Sequence, residues 1–365
     1  MLDQSNAITS NLHVRKRMTI QKSTRRIILL VFLIASFVGA YLAWQPIKGM
    51  FFQAVPNELN DTFVCIPTGA SFEEVVSILK KGKFIRDEVN FRWLAEQMNY
   101  KKDKMRAGRF EVKPGWTNRQ LIQHLRSGAQ TPVKLVLNTE RLPEEVAGKA
   151  ARFIEADSLS ILQLFRDQQF LKQYNLNDAT LMSIFIPNTY ELFWNTDAKA
   201  FFARMAKEHD AFWAKDERQQ KAANLGLNEA QVYTLASIVE RETNANSEKP
   251  TIAGVYLNRL RIDMKLQADP TCVFATRDFA TRRVTQYHTT FDSPYNTYMY
   301  KGLPPGPISM ASIPRLDAVL NREKHNYLYF CAKPDDSGTH AFAETFAAHK
   351  VNADRFQAYV KLRGK

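Results

Sequence analysis

One acidic side chain in this sequence is placed where it could act as a proton donor. The segment 231–260 reads QVYTLASIVERETNANSEKPTIAGVYLNRL, and its first part has the periodicity of a helix. Leu235, Ile238 and Val239 form an apolar stripe on one face of that helix, and Glu242 continues the stripe one turn later. A carboxyl group held against apolar side chains has a raised pKa, so it stays protonated near neutral pH and can donate to a leaving oxygen.

A second acid, Glu240, lies two residues away and does not share that face. Two residues correspond to a rotation of about 200° around a helix, so the two acids cannot both point into one pocket from this helix. Position alone also allows Glu242 a structural role, as the buried partner of a cation such as Arg259. The sequence therefore offers one candidate acid and leaves an ion pair as the alternative.

Two later segments have the composition of a sugar-binding surface. LQADPT (266–271) is predicted to be a polar turn, and YNTYMYKGLPPGPIS (295–309) is rich in Tyr, Asn, Pro and Gly. Aromatic rings offer flat faces to a sugar ring, and amide groups offer paired donors and acceptors to its hydroxyls. Each segment alone could be an ordinary turn, but together with a lone acid they indicate a glycan cleft.

Motifs for several other chemistries are missing from the sequence. It contains no GxxxxGK[ST], no GxGxxG that opens a helix, no GxSxG and no HExxH. The seven histidines are scattered, and the three cysteines (Cys65, Cys272 and Cys331) have no CxxC spacing. We therefore expect no metal site, no cofactor and no disulfide framework, and we interpret the cysteines as fillers of apolar space.

The N-terminus predicts a membrane anchor. Residues 27–44, IILLVFLIASFVGAYLAW, carry no charge, and six cations precede them: Arg15, Lys16, Arg17, Lys22, Arg25 and Arg26. By the positive-inside rule the basic tail 1–26 stays in the cytoplasm, and the rest of the chain lies on the other side of the membrane. A buried core helix and a cleaved signal peptide are the alternatives to this single-pass transmembrane helix.

The charge balance agrees with a partner at the cell wall. The chain of 365 residues has 50 Lys and Arg against 37 Asp and Glu, a net charge of +13, and it remains basic without its tail. A basic surface attracts anionic partners, but nucleic acid is a poor candidate across the membrane. An anionic wall polymer fits better.

Element patterns divide the outer part of the chain in two. Residues 45–60 are predicted to be a linker, and 61–130 read as strand, helix, helix, strand, helix, with Ser71 and Thr117 as helix caps. This small module has no evident catalytic set and is interpreted as a binding domain. Residues 131–365 mix helices with short strands and include an aromatic loop at 186–194, so the predicted fold class is α+β.

The sequence resembles the YceG-like (MltG) endolytic murein transglycosylases. The resemblance extends over about residues 60–360, and its motifs are LASIVERET (235–243), YLNRLRIDMKLQADPT (256–271), YNTY (295–298), GLPPGPI (302–308), YLYF (327–330), IPNTYE (186–191) and the GRFEVKPGWT module. Two positions depart from the family pattern: Asn188 stands where an aspartate is expected, and Cys272 follows DPT.

The resemblance implies an inner-membrane lyase that cuts peptidoglycan strands internally. Module 61–130 would be LysM-like and hold the strand, and 131–365 would be the catalytic domain. Glu242 would act as acid and then as base, closing a 1,6-anhydro ring on N-acetylmuramic acid, so a second catalytic carboxylate is not needed. The residues expected to contact sugar or to position Glu242 are Gln267, Asp269, Tyr295, Asn296 and Tyr298. Association with penicillin-binding proteins is implied by the family alone.

Two other functions compete with this one. A muramidase would use Glu242 as acid and Asp269 as base or nucleophile, and it would leave reducing ends. A wall-binding or scaffold protein would rely on the first module, with Glu242 in a structural role, and would bind without cleavage.

Overall fold

The described chain is an α+β protein of helices and small antiparallel sheets. The computed structural model describes residues 25–41, 43–44, 48 and 50–363. Within these residues each sheet has two strands, and the chain divides into two compact units between Thr131 and Pro132. The predicted fold class, α+β, is therefore confirmed.

Residues 25–41 are helical, and their apolar side chains are exposed, as for Phe37 at 82% and Leu33 at 64%. Among the described residues, no helix combines the length and the apolar character that crossing a membrane requires. The predicted span 27–44 includes residue 42, which lies outside the described residues. So do residues 1–24 of the predicted tail and 45–47 and 49 of the predicted linker.

The first unit has the predicted element order. It contains strand β1 (Phe63–Ile66), helices α1 (Phe72–Lys81) and α2 (Glu88–Gln97), strand β2 (Gly108–Glu111) and helix α3 (Asn118–Ser127). The two strands pair antiparallel, with Phe63 opposite Glu111 and Ile66 opposite Gly108. Apolar faces of all three helices and both strands form one core.

Side-chain caps fix where two of these helices begin. The hydroxyl of Ser71 accepts a hydrogen bond from the backbone N–H of Glu74, and Thr117 does the same for Gln120. In each case the third helical residue bonds back to the backbone of the cap, which completes a capping box. Each cap contributes about 1 kcal/mol to helix stability.

The second unit begins with strand β3 (Val133–Leu137) and continues through helices α4 (Pro143–Ala150), α5 (Ser158–Phe165) and α6 (Gln168–Lys172), a 3₁₀ turn (Leu181–Ile184), strand β4 (Asn188–Leu192) and helix α7 (Ala198–Trp213). The prediction of a loop over 186–194 was wrong, because Asn188–Leu192 pairs antiparallel with β3. Tyr190 and Leu192 face the core from this strand, whereas Asn188 and Thr189 are exposed.

The remaining elements surround one helix. They are α8 (Arg218–Asn224), α9 (Glu229–Glu242), a 3₁₀ turn (Asn246–Glu248), α10 (Lys249–Arg261), α11 (Asp269–Thr276), α12 (Gln286–Thr290), α13 (Ile313–Leu320), β5 (Tyr329–Ala332), β6 (His340–Ala343) and α14 (Phe346–Leu362). Every residue of α9 from 232 to 239 is buried. Strand β6 was not predicted, since its four residues have no alternation and form by pairing with β5. The predicted turn over 266–271 also becomes helical from Asp269 onward.

Candidate active site

Helix α9 is held by hydrogen bonds to two other segments, one at Phe185 and one at 308–311. Asn228 caps its first turn. The hydroxyl of Tyr233 donates to the carbonyl of Phe185 and accepts from the backbone N–H of Ala311 at 3.1 Å. The hydroxyl of Ser237 accepts from the N–H of Ile308 at 3.0 Å. Because Tyr233 and Ser237 are both bonded to backbone groups of other segments, the position of the helix is well defined.

Glu242 is the last residue of this helix. Thr243 leaves the helical conformation with φ −147° and ψ 149°, so the chain turns away directly after the acid. Carbonyl groups at the end of a helix have no helical partners and give that end a partial negative charge. A carboxylate there is disfavoured relative to the neutral acid.

The environment of Glu242 raises the pKa of its carboxyl group, so a substantial fraction of it is protonated near neutral pH. Its pKa is raised to about 7, first by burial and then by the negative charge of Asp269. A hydrogen bond with Tyr256 and the charge of Arg259 lower the pKa and only partly offset those effects. The residue as a whole is half-buried, but its Oε2 is covered and has no hydrogen-bond partner among the described residues.

Helix α10 supplies the two groups that lower the pKa of Glu242 and so oppose the effect of burial. Tyr256 and Arg259 are 1% and 7% exposed. The guanidinium of Arg259 donates to the carbonyls of Leu328 and Leu266, each at 2.6 Å. Within the described residues it therefore bonds to backbone and makes no ion pair with Glu242, which removes the ion-pair alternative suggested by position alone. Tyr256 had no signal of its own in the sequence beyond its place in the YLNRL segment.

Asp269 lies at the start of helix α11, where the N-terminal end of a helix favours negative charge. Its Oδ1 accepts a hydrogen bond from the hydroxyl of Tyr298 at 2.6 Å. The structure thus brings Glu242, Asp269 and Tyr298 together, as a covered acid, an exposed carboxylate and the phenol that holds it.

The YNTY turn is attached to the start of α11 through threonines. The hydroxyls of Thr271 and Thr297 lie 2.8 Å apart, and Thr297 Oγ1 also accepts from the N–H of Ala268. Asn296 is fully buried, and its amide donates to the backbone carbonyls of His288, Thr289 and Phe291. Because the amide of Asn296 is covered, it cannot contact a sugar in this conformation. Its bonds to backbone are suited to positioning the turn.

Gln267 and Tyr295 lie at the edge of the same region. Gln267 is exposed, with φ +49°, and its N–H donates to the carbonyl of Thr297 at 3.1 Å. Tyr295 is half-buried, and its ring centroid lies 4.8 Å from that of Phe274. Asn188, the departure in the IPNTYE segment, is exposed at the start of β4 and bonds to the N–H of Thr189.

The GLPPGPI loop packs closely on the first half of the second unit. A Cβ atom at Gly306 would lie 1.7 Å from the carbonyl oxygen of Ala179, so only glycine allows this approach. The loop continues to Ile308, whose backbone bonds to Ser237 of α9. This segment, predicted as part of a glycan cleft, therefore supports the helix that carries Glu242.

A cavity of about 690 Å³ opens beside the acid. Glu242 and Asp269 line it together with Arg141, Arg241, Pro270, Val273, Phe274, Phe279, Thr281, Arg282, Arg283, Val284, Ile308 and His340. Gln267, Tyr295, Asn296 and Tyr298 lie outside this lining. The volume suits a ligand of the size of a few sugar rings or a short peptide.

Sequence reasoning missed the basic side of this cavity and one histidine. The arginines come from three separate segments, and nothing in their spacing indicates that they converge. His340 comes from β6, where its Nδ1 lies 2.9 Å from Glu248 Oε2 and its backbone N–H donates to Glu248 Oε1 at 2.8 Å. Over the described ranges no group of His, Cys, Asp and Glu is arranged to hold a metal ion.

Comparison with known proteins gives a consistent result. Residues 64–355 match the YceG-like family. The chain is 28% identical over 307 residues to the endolytic murein transglycosylase of Bacillus subtilis (strain 168), covering 80% of this chain and 83% of that protein. It is 26% identical over 335 residues to the endolytic murein transglycosylase of Streptococcus pneumoniae serotype 2 (strain D39 / NCTC 7466), covering 83% of this chain and 60% of that protein.

A solved structure has a similar fold. The 2.6 Å crystal structure of a yceG-like protein from Listeria monocytogenes superposes with a TM-score of 0.53 at 27% identity. The match covers 79% of this chain and 97% of that chain.

Proposed function

The chain belongs to the YceG-like family, and from that premise we propose that it is an endolytic peptidoglycan lytic transglycosylase. It is a lyase that cuts the β-1,4 bond between N-acetylmuramic acid and N-acetylglucosamine within a glycan strand. The relatives named endolytic murein transglycosylase support this reaction. The observation that carries the assignment is the position of Glu242 on the wall of a large cavity, with its Oε2 covered and its pKa raised to about 7.

Glu242 performs both proton transfers. Its protonated carboxyl group donates to the glycosidic oxygen, which leaves as the 4-hydroxyl of N-acetylglucosamine. The resulting carboxylate takes the proton of the muramoyl 6-hydroxyl, whose oxygen attacks C1 and closes the 1,6-anhydro ring. The proton that was donated is thereby replaced, and no water is consumed. A pKa of about 7 suits a group that must alternate between acid and base near neutral pH.

Neighbouring residues position this acid and its substrate. The hydrogen bond between Tyr256 and the carboxyl group orients it, and Asp269, held by Tyr298, keeps it protonated. Asn296 fixes the YNTY turn from the interior. Gln267 and Tyr295, at the edge of the region, are the candidates for sugar contacts.

We further propose that the enzyme is a single-pass protein of the inner membrane with its catalytic domain in the periplasm. The uncharged run 27–44 after six cations supports the anchor, and the exposed apolar side chains of residues 27–38 are suited to lipid. Residues 61–130 act as a LysM-like glycan-binding module. Such an enzyme, beside penicillin-binding proteins, would terminate elongating strands.

Product analysis tests the proposal. The full chain in detergent is incubated with purified peptidoglycan, beside Glu242→Gln and a control, Glu229→Gln, which makes the same change in the first turn of the same helix. We expect anhydro-muramoyl ends from the wild type and the control and none from Glu242→Gln. Reducing ends would instead identify a muramidase with Asp269 as its second carboxylate. Binding without cleavage would indicate a scaffold protein.

A further inference from the structure

The cavity beside Glu242 has four arginines in its lining, from separate parts of the second unit. Arg141 precedes α4, Arg241 is in the last turn of α9, and Arg282 and Arg283 lie between α11 and α12. Among the described residues only two acids share that lining, and the pKa of one of them, Glu242, is raised to about 7. The cavity wall therefore has a positive net charge.

These four guanidinium groups make no ion pair within the described residues, whereas Arg218 and Arg315 of the same unit each do. Arg218 pairs with Asp317 at 2.9 Å, and Arg315 pairs with Glu240 at 3.2 Å. The acids nearest to Arg241 are already engaged: Glu140 with Lys149, Glu145 with the backbone of Arg141, and Glu240 with Arg315. Within the described part of the chain, these three carboxylates are therefore not available to neutralise Arg241.

Arg241 is held rigidly without neutralisation of its charge. One of its terminal nitrogens donates to the carbonyl of Thr139, while its Nε is covered and has no hydrogen-bond partner in the described part of the chain. Burial and the charge of Arg141 lower its pKa. The guanidinium of Arg141 lies 4.6 Å from the ring centroid of Phe279, which restricts that side chain as well. Two of the four cations are thus preorganised for an anionic ligand.

We propose that this arginine cluster (Arg141, Arg241, Arg282 and Arg283) binds the carboxylates of the peptide attached to N-acetylmuramic acid. The inference rests on the proposed function and adds a substrate requirement to it. The sugar backbone of peptidoglycan has no charge where the peptide is attached, so the sugars offer no anionic group that the four arginines could bind. Stem peptides carry free carboxylates, and arginine binds a carboxylate through two parallel hydrogen bonds. The enzyme therefore recognises strands that still bear their peptides.

The test measures binding of a fluorescent N-acetylmuramoyl peptide to the full chain in detergent. The ligand has no glycosidic bond to cut, and a matched ligand has its carboxylates amidated. We expect the free carboxylates to lower Kd by about tenfold, the usual effect of one charge-assisted hydrogen bond. That difference should disappear in the double variant Arg282→Gln/Arg283→Gln, whose side chains are exposed, so the fold is not at risk.

Arg166→Gln is the control. It removes the same charge from a surface pair with Glu144, on a side chain that is 70% exposed and outside the cavity. It should keep the wild-type difference between the two ligands. Equal affinity of the wild type for both ligands, or an undiminished difference in the double variant, would overturn the proposal. Anhydro ends formed by an enzyme that does not distinguish the ligands would leave the lytic reaction intact and refute only the peptide site.

Discussion

The hydroxyl of Tyr298 donates to Oδ1 of Asp269 at 2.6 Å, which ties the YNTY turn to the first residue of α11. The bond restrains a carboxylate whose charge raises the pKa of Glu242. The YNTY turn and the start of α11, which are 26 residues or more apart in sequence, thus both influence Glu242 through this one hydrogen bond.

Asp269→Asn should lower the pKa of Glu242, because it removes the negative charge that disfavours the carboxylate. The enzyme needs the protonated acid, so activity falls as pH rises through that pKa. The alkaline limb of the pH–rate profile should therefore move to lower pH. Rates of anhydro-end formation between pH 5 and pH 9 measure the shift. An alkaline limb at the wild-type position would mean that Asp269 does not act on Glu242 in solution.

Tyr256→Phe should shift the same limb in the opposite direction. The hydrogen bond from Tyr256 lowers the pKa of Glu242, so its loss raises the pKa. The rate should also fall about tenfold or more, the usual cost of losing a hydrogen bond to a charged group. Phenylalanine keeps the ring that packs edge-on against Phe330. Identical alkaline limbs in the variant and the wild type would contradict this role.

Glu242→Gln should change how stability depends on pH. The pKa of Glu242 is raised from 4.5 to about 7 in the folded protein. Its contribution to the free energy of unfolding is therefore complete below pH 4.5 and is lost as pH rises through 7. The wild type should lose up to about 3 kcal/mol over that window through this group alone. Denaturant unfolding at pH 5 and pH 8 should give the variant the smaller loss. An equal loss in both proteins would show that Glu242 is solvated.

Asn296→Ala should destabilise the second unit by about 2–3 kcal/mol, because three backbone carbonyls lose their donor in the interior. Activity should fall with stability, since the YNTY turn loses its internal support. Gln267→Ala, on an exposed side chain of the same region, is the control and should keep wild-type stability. Thermal unfolding of both variants checks the difference. Full stability and full activity of Asn296→Ala would remove it from the positioning residues.

Gly306→Ala should destabilise by about 1–3 kcal/mol or more, because the new methyl group meets the carbonyl of Ala179. Gly148→Ala is the matched control, since no atom of the described residues outside the local backbone lies within 4 Å of the added atom in α4. Alanine should be neutral there, or stabilising by about 0.5–1 kcal/mol. Denaturant midpoints compare the two variants. A tolerated Gly306→Ala would mean that the loop moves freely away from Ala179.

Much of the local structure could be predicted from sequence patterns. Capping residues such as Ser71 and Thr117 and the apolar periodicity of α9 act within a few residues, so helix ends and the buried face that leads to Glu242 were predicted. Strands β4 and β6 were not predicted. Each forms by pairing with a partner strand, and the strand's own residues do not indicate which partner is available.

The sequence by itself determined the family, the candidate acid and the positions of most helices, because motifs and periodicity are properties of neighbouring residues. Tertiary structure alone decided that the carboxyl group of Glu242 is covered, that Asn296 faces inward, and that Arg259 bonds to backbone. It also decided that Arg141, Arg241, Arg282 and Arg283 share one cavity. Burial and electrostatic interactions depend on distances in space, and residues far apart in the chain acquire those distances only when it folds.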